Sequence, residues 1–241
     1  MKVNSASKES MLQPETRWGV IRWLIRETFG VVFVAVTLFW PAGRLDWTMG
    51  WALVALYAVW VVAQAILLIP KNPQLLVERA TRRKEAKGWD LVLLSIIGVV
   101  TIAKHAVAGL DIRYGWKPEI ALGFQVVALL MAAGGYALET WAMTANPFFS
   151  MVVRMQEDRG HAVATGGPYR YVRHPGYTGT TLFELASPVA LGSPWALIPS
   201  VLVIALTVIR TIREDETLKE ELGGYEAYIQ DVPYRLVPGV W

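Results

Sequence analysis

The chain contains no cysteine among its 241 residues. That excludes disulfides, thiolate-bound metal clusters and a cysteine nucleophile. Histidine is almost as scarce: His105, His161 and His174 stand far apart, without the H-x-x-H or H-E-x-x-H spacing that sets two imidazoles on one metal, so no metal is expected. Charge is thin too. Asp, Glu, Lys and Arg make up 18% of the chain with a net charge of +3, and the basic residues lie between apolar runs instead of forming a stripe interleaved with aromatics. No nucleic-acid partner is expected from such a pattern. What fills the chain is apolar: 54% hydrophobic residues, 11 tryptophans and a mean hydropathy of +0.36. This is the composition of a membrane protein.

A spanning helix needs about 20 mostly apolar residues to cross a hydrocarbon core of about 30 Å. Runs of that kind cover 26–43, 47–70, 91–110 and 120–145, the last ended by Asn146-Pro147. After His174 the pattern is punctuated by Pro188, Gly192-Ser193-Pro194 and Pro199, so the stretch reads either as one kinked span or as a hairpin of helices over 175–191 and 194–211. Charge arbitrates. With six spans, all but four of the 23 basic residues fall on one side; Arg44, Arg113 and Lys117 lie opposite and Lys104 lies within the third span. The positive-inside rule then places both termini in the cytoplasm. The expected fold is an all-α, polytopic membrane helix bundle of about six transmembrane helices, its C-terminal hairpin enclosing a pocket at the cytosolic face. Three regions follow: a cytosolic or interfacial segment over 1–25, with the first dozen residues disordered, a four-helix membrane region over 26–145, and a C-terminal region over 146–241. No cleavage site follows the first run, which reads as a retained span. Trp40, Trp47, Trp89, Trp116, Trp141 and Trp195 fall near proposed span ends, where amphipathic rings settle, whereas Trp60 sits mid-span and reads as packing.

Two polar stretches are too elaborate for connectors. Residues 156–177, QEDRGHAVATGGPYRYVRHPGY, crowd His161, Tyr169, Tyr171, Arg173, His174 and Tyr177 around a Gly166-Gly167-Pro168 turn. The second is Arg210-x-x-Arg213-Glu214-Asp215-Glu216, followed by Gly224-Tyr225-x-x-Tyr228. In the six-span topology both lie at one membrane face. Each element alone has a plain reading. Gly-Gly-Pro is an ordinary turn, Arg170 and Arg173 are positive-inside anchors, Arg210 and Glu214 at i and i+4 form a surface ion pair, and His174 before Pro175 caps a helix. Together they make a site for a ligand polar at one end: aromatic rings for a purine, Glu214 for an ammonium, Arg210 for an anionic group on an amphiphile. S-adenosylmethionine fits that set better than NADPH, for which no G-x-G-x-x-G fingerprint is present. Glu184, about ten residues into the fifth span, is a candidate catalytic carboxylate by virtue of its depth alone, a structural partner being the alternative. Lys104-His105 lie close enough to the outer end of the third span for Lys104 to snorkel.

Gly167-Pro168-Tyr169-Arg170-Tyr171-Val172-Arg173-His174-Pro175-Gly176-Tyr177, with Arg210-x-x-x-Glu214-Asp215 and the Gly-Tyr-x-x-Tyr tail, resembles the isoprenylcysteine carboxyl methyltransferase family and the related phospholipid methyltransferases over about 148–238; Asn72-Pro73-x-Leu75-Leu76-x-Glu78-Arg79 is similar to bacterial members. The resemblance implies an S-adenosylmethionine-dependent enzyme of the bacterial inner membrane, methylating a lipophilic acceptor that enters from the bilayer lipids. Carried over by position, Gln156, His161, Ala162, Val163, Ala164, Tyr169, His174, Pro175, Gly176, Tyr177 and Glu214 hold the cofactor, and Arg210 faces the acceptor. Asp215 stands where many members carry Glu. A carboxylate acceptor needs no base, whereas an amine or alcohol would recruit Glu184 or His174. Two other readings stand beside this one: an NADPH-dependent membrane reductase similar to sterol reductases, and a non-catalytic membrane protein.

Overall fold

The apolar runs become helices whose ends are set by ordinary chain chemistry. In a computed structural model describing residues 13–80, 85–116 and 118–241, the chain forms α1 (Pro14–Ala42), α2 (Thr48–Leu68), α3 (Pro73–Ala80), α4 (Gly88–Tyr114), α5 (Leu122–Ala145), α6 (Pro175–Ala190), α7 (Leu197–Glu221) and α8 (Tyr225–Asp231), with single 3-10 turns at Glu157–Arg159 and Gly167–Arg170. No strand occurs among the described residues. Prolines open α1 and α6 at the first turn, where the missing N–H is not needed. Gly43 closes α1 at a positive φ of 64°, its N–H returning to Phe39 O.

Four helices, α1, α2, α4 and α5, are long and apolar enough to cross a bilayer. Their outward faces stay apolar: Phe29 is 68% exposed and Leu130 68%. Water would penalise such a surface, and hydrocarbon does not. α6, at 16 residues, and α7, which carries charges in its second half, fall outside that set.

The structure moves one boundary well away from the expected one. α1 starts at Pro14 instead of 26, because residues 14–25 carry their own buried stripe: Thr16, Gly19, Val20 and Trp23 face inward, and Val77 of α3 lies where a Cβ on Gly19 would stand. Helical spacing of small and apolar residues thus continues the first span into an amphipathic extension. Arg26 is committed to Glu27 and to the Arg79 carbonyl. The disorder expected for the first dozen residues concerns positions outside those described.

Three polar links fasten the C-terminal helices to α4 at three levels. Near the start of α4, Asp90 receives Arg210 Nε of α7 at 2.6 Å. At mid-length Lys104 Nζ lies 2.8 Å and 2.9 Å from the two oxygens of Glu184 on α6, and Ser200 Oγ of α7 donates to the same carboxylate at 3.2 Å. Near the end of α4, Asp111 accepts from Ser193 Oγ, in the turn joining α6 to α7, at 2.6 Å. α7 therefore runs antiparallel to α4, and the chain doubles back after the Gly-Ser-Pro turn.

The middle link corrects two readings. Lys104 is fully buried and does not snorkel, because its position faces α6, where a carboxylate meets it. Glu184 is no lone carboxylate: it has the structural partner that was the alternative reading. His105 is likewise turned inward, its Nδ1 2.9 Å from Thr37 Oγ1 of α1. Trp60 packs as expected, stacked on Tyr136 at 4.4 Å between centroids.

Candidate cofactor and acceptor site

The segment between α5 and α6 is irregular because its backbone is satisfied by side chains. Asn146 ends α5 and its Oδ1 accepts from Phe148 N at 2.8 Å, while its amide donates to Tyr169 OH at 3.2 Å. Gln156 is 1% exposed; its Nε2 donates to Phe148 O at 2.7 Å and its Oε1 accepts from Arg159. The His161 ring lies on Phe148 at 4.8 Å, and its Nδ1 accepts from Gln156 N at 3.3 Å. Next comes the 3-10 turn, where Gly167 takes a φ of 58° and a Cβ would meet Ala145 at 2.9 Å. No other residue type combines that dihedral with that approach.

Asp215 on α7 is the hub that holds this segment to the C-terminal part of the chain. It accepts from Arg173 Nε at 2.8 Å and Nη2 at 2.9 Å, from Tyr225 OH at 2.8 Å and from Arg235 Nε at 3.0 Å, with His174 Nε2 at 3.1 Å. Burial pushes this carboxyl up, yet the hydrogen bonds from His174 and Arg173 outweigh it and hold Asp215 well below the usual carboxylate range. Arg173 is therefore no positive-inside anchor; it is buried because Asp215 neutralises it. Arg170 stays exposed, as an anchor should. His174 precedes α6 without capping it through its side chain.

These elements enclose a cavity of ≈ 250 Å³. Gln156, His161, Ala162, Val163, Ala164, Tyr169, His174, Gly176, Tyr177, Glu214 and Arg210 all line it. Pro175 and Glu184 do not; the first shapes the start of α6 and the second is engaged with Lys104. Arg210 and Glu214 do not pair with each other, correcting the i, i+4 reading. Arg210 is drawn to Asp90 and to Met151 O, its guanidinium 5.2 Å over the Tyr177 ring, and Glu214 accepts from Tyr177 OH. The amides of Ala162, Val163 and Ala164 carry no intramolecular hydrogen bond among the described residues.

Several wall residues were not singled out from the sequence as site residues: Phe148 and Phe149, Glu139 on α5, and Arg79 on α3; nor was Asp90, which does not line the cavity but anchors two residues that do, Arg210 and Val153. A single carboxylate inside an otherwise uncharged run was the available signal for Glu139.

The cavity sets the titration of His161. Burial lowers its pKa below the ordinary 6.5, and the charges of Arg154 and Arg159 lower it further against the pull of Glu214. With a folded value below the unfolded one, the ring contributes stability in full above about pH 6.5, and that contribution is lost as pH falls toward the folded value. Ring-nitrogen NMR should show His161 neutral at pH 6.5, and a midpoint at or above 6.5 would contradict the burial.

Residues 124–224 match the phospholipid methyltransferase family. Over 109 residues, 44% of this chain, the sequence is 31% identical to a probable protein-S-isoprenylcysteine O-methyltransferase of Oryza sativa subsp. indica, covering 57% of that protein. It is 37% identical over 96 residues to the protein-S-isoprenylcysteine O-methyltransferase of Mus musculus, covering 39% of this chain and 32% of the mouse protein, and 30% identical over 115 residues to that of Schizosaccharomyces pombe, covering 47% and 46%. The matched stretch thus spans about half of the rice and yeast proteins and a third of the mouse one. The resemblance carried by the G-P-Y-x-x-x-R-H-P-G-Y core is sound: the C-terminal part of the chain is isoprenylcysteine methyltransferase-like.

Proposed function

We propose that this chain is an integral membrane methyltransferase that uses S-adenosylmethionine to methylate a lipophilic or amphiphilic acceptor. One observation carries the reading: residues 156–177 and the end of α7, distant in sequence, line one cavity. The residues suit the cofactor. Glu214 offers a carboxylate to an α-ammonium, the unpartnered amides of 162–164 offer donors to a purine or a carboxylate, and Tyr169 and Tyr177 offer ring faces. His174, Gly176 and Gln156 complete the wall, and Pro175 fixes the entry to α6. When bound, S-adenosylmethionine supplies an electrophilic methyl group. The protein aligns the acceptor with it and excludes water. Arg210, whose Nη1 has no partner among the described residues, faces the acceptor side.

In this reading α6 and α7 also cross the bilayer, giving six spans with both termini in the cytoplasm of a bacterial inner membrane, as the charge distribution supports. Residues 1–25 form the cytosolic or interfacial segment, 26–145 the supporting membrane region and 146–241 the catalytic region.

Equilibrium binding in detergent tests the proposal: S-adenosylhomocysteine binds and NADPH does not. The reverse result would make the chain a reductase, and binding of neither a non-catalytic scaffold. Glu214→Ala should weaken S-adenosylhomocysteine binding about 10- to 100-fold, the worth of one charge-assisted hydrogen bond; equal affinity in both forms removes the role given to Glu214.

A further inference from the structure

Two carboxylates line the cavity, Glu214 and Glu139, and the proposed function uses only the first. Glu139 sits on α5, about two turns before its end. It is brought to the cavity by a close helix crossing: a Cβ on Gly179 of α6 would stand 2.5 Å from Gly135 O and 3.0 Å from Glu139 N. Glycines at both crossing positions let the backbones meet and set Glu139 beside Gly176 and Thr180, which share the cavity wall. Glu139 carries no hydrogen bond or ion pair among the described residues. On the same wall Arg79 of α3 is nine-tenths buried, its guanidinium 5.6 Å over Phe149, and its Nε–H has no hydrogen-bond partner among the described residues. A buried donor and a carboxylate that feel each other's charge but share no hydrogen bond are a costly arrangement for packing alone. It suits a ligand group that both accepts and donates.

Among the described residues, the other carboxylates and histidines near the cavity, Glu214 apart, are engaged. Asp215 takes bonds from Arg173, Tyr225 and Arg235, His174 lies against Asp215, and Asp90 holds Arg210. His161 Nδ1 accepts from Gln156 N, and Glu184 is tied to Lys104 outside the cavity. We infer that Arg79 and Glu139 form the acceptor end of the site and that the acceptor carries a proton on its nucleophilic atom, a lipophilic amine or hydroxyl compound instead of a carboxylate, with Glu139 as the base.

This inference rests on the methyltransferase reading, in which S-adenosylmethionine is a co-substrate. The acceptor's lone pair forms the new bond to the methyl carbon as the carbon–sulfur bond breaks, its electron pair going to sulfur. The proton passes from the acceptor to a Glu139 carboxylate oxygen and from there to water. Arg79 Nε donates to the acceptor's second polar atom. An ionised carboxylate acceptor has no proton to give, so Glu139 would have no part in its methylation.

The full chain in detergent, with methyl-labelled S-adenosylmethionine, is offered dodecylamine, 4-dodecylphenol and dodecanoate. Label is expected in the amine or the phenol at least about tenfold faster than in dodecanoate. Glu139→Gln should slow that transfer by about 10²-fold or more, the usual worth of a general base, with S-adenosylhomocysteine affinity within about twofold of the unaltered chain; Glu139→Asp should recover part of the rate. Faster labelling of dodecanoate, labelling of none of the three with S-adenosylhomocysteine still bound, or full-rate transfer by Glu139→Gln overturns this inference and leaves the methyltransferase reading standing. Failure of the unaltered chain to bind S-adenosylhomocysteine overturns the methyltransferase reading itself.

Discussion

Lys104→Met is expected to destabilise the folded protein in detergent by about 3–5 kcal/mol, the cost of leaving one member of a buried ion pair without its partner. The ammonium is fully buried and bonded to both oxygens of Glu184, with Ser187 Oγ at 3.4 Å and the Phe183 ring 5.2 Å away. Removing it strands a carboxylate among helices that offer only the Ser200 hydroxyl in exchange. The double variant Lys104→Met, Glu184→Gln keeps a hydrogen-bond acceptor for Ser200 and removes both charges, so most of the loss should return. Denaturant unfolding of the two single variants and the double variant measures the coupling directly. A double variant whose loss equals the sum of the two single losses would mean that the pair contributes nothing as a pair. Transfer assays should show the double variant close to the unaltered protein, since neither residue lines the cavity.

The same pair shows what the sequence could and could not convey. Long uncharged runs announce helices because a bilayer accepts little else, so α2 and α5 lie within a few residues of their expected bounds. The turn after α6 was legible from Gly192-Ser193-Pro194, and the cavity from the G-P-Y and R-H-P-G-Y core. Partners were not. Lys104 and Glu184 are 80 positions apart and Arg210 and Asp90 are 120 apart, and nothing local in either run says which charge meets which. Reading Lys104 as snorkelling followed from its distance to the span end alone, and helix rotation, set by packing against α6, decided otherwise. Residues 14–25 were placed outside the first helix because they carry charge, although Thr16, Gly19, Val20 and Trp23 already have the spacing of a buried stripe. Glu139 escaped notice for the opposite reason: one carboxylate barely dents a run of 24 residues otherwise without charge.

Asp90→Ala should be nearly as damaging to stability as the loss of Lys104, and more damaging to the site. Asp90 is fully buried and makes three bonds, to Arg210 Nε at 2.6 Å, Arg210 Nη2 at 3.2 Å and the Val153 amide at 2.8 Å. Its removal leaves a guanidinium that is 8% exposed without its hydrogen-bonded counter-charge and frees the 151–153 backbone from α4, again at a cost of about 3–5 kcal/mol. Because 151–153 line the cavity, affinity for S-adenosylhomocysteine should fall with stability. Arg210→Met alone should be comparably unstable, since it strands Asp90 instead. The double variant Asp90→Leu, Arg210→Met carries neither stranded charge and should regain much of the stability. It should still fail in methyl transfer, because the guanidinium that faces the acceptor is gone. Thermal unfolding, S-adenosylhomocysteine binding and label transfer, measured on the same three proteins, separate the two roles of this pair. A double variant that is stable and transfers methyl at the unaltered rate would show that Arg210 serves the scaffold alone. Single variants as stable as the unaltered chain would show that the pair does not hold α7 to α4.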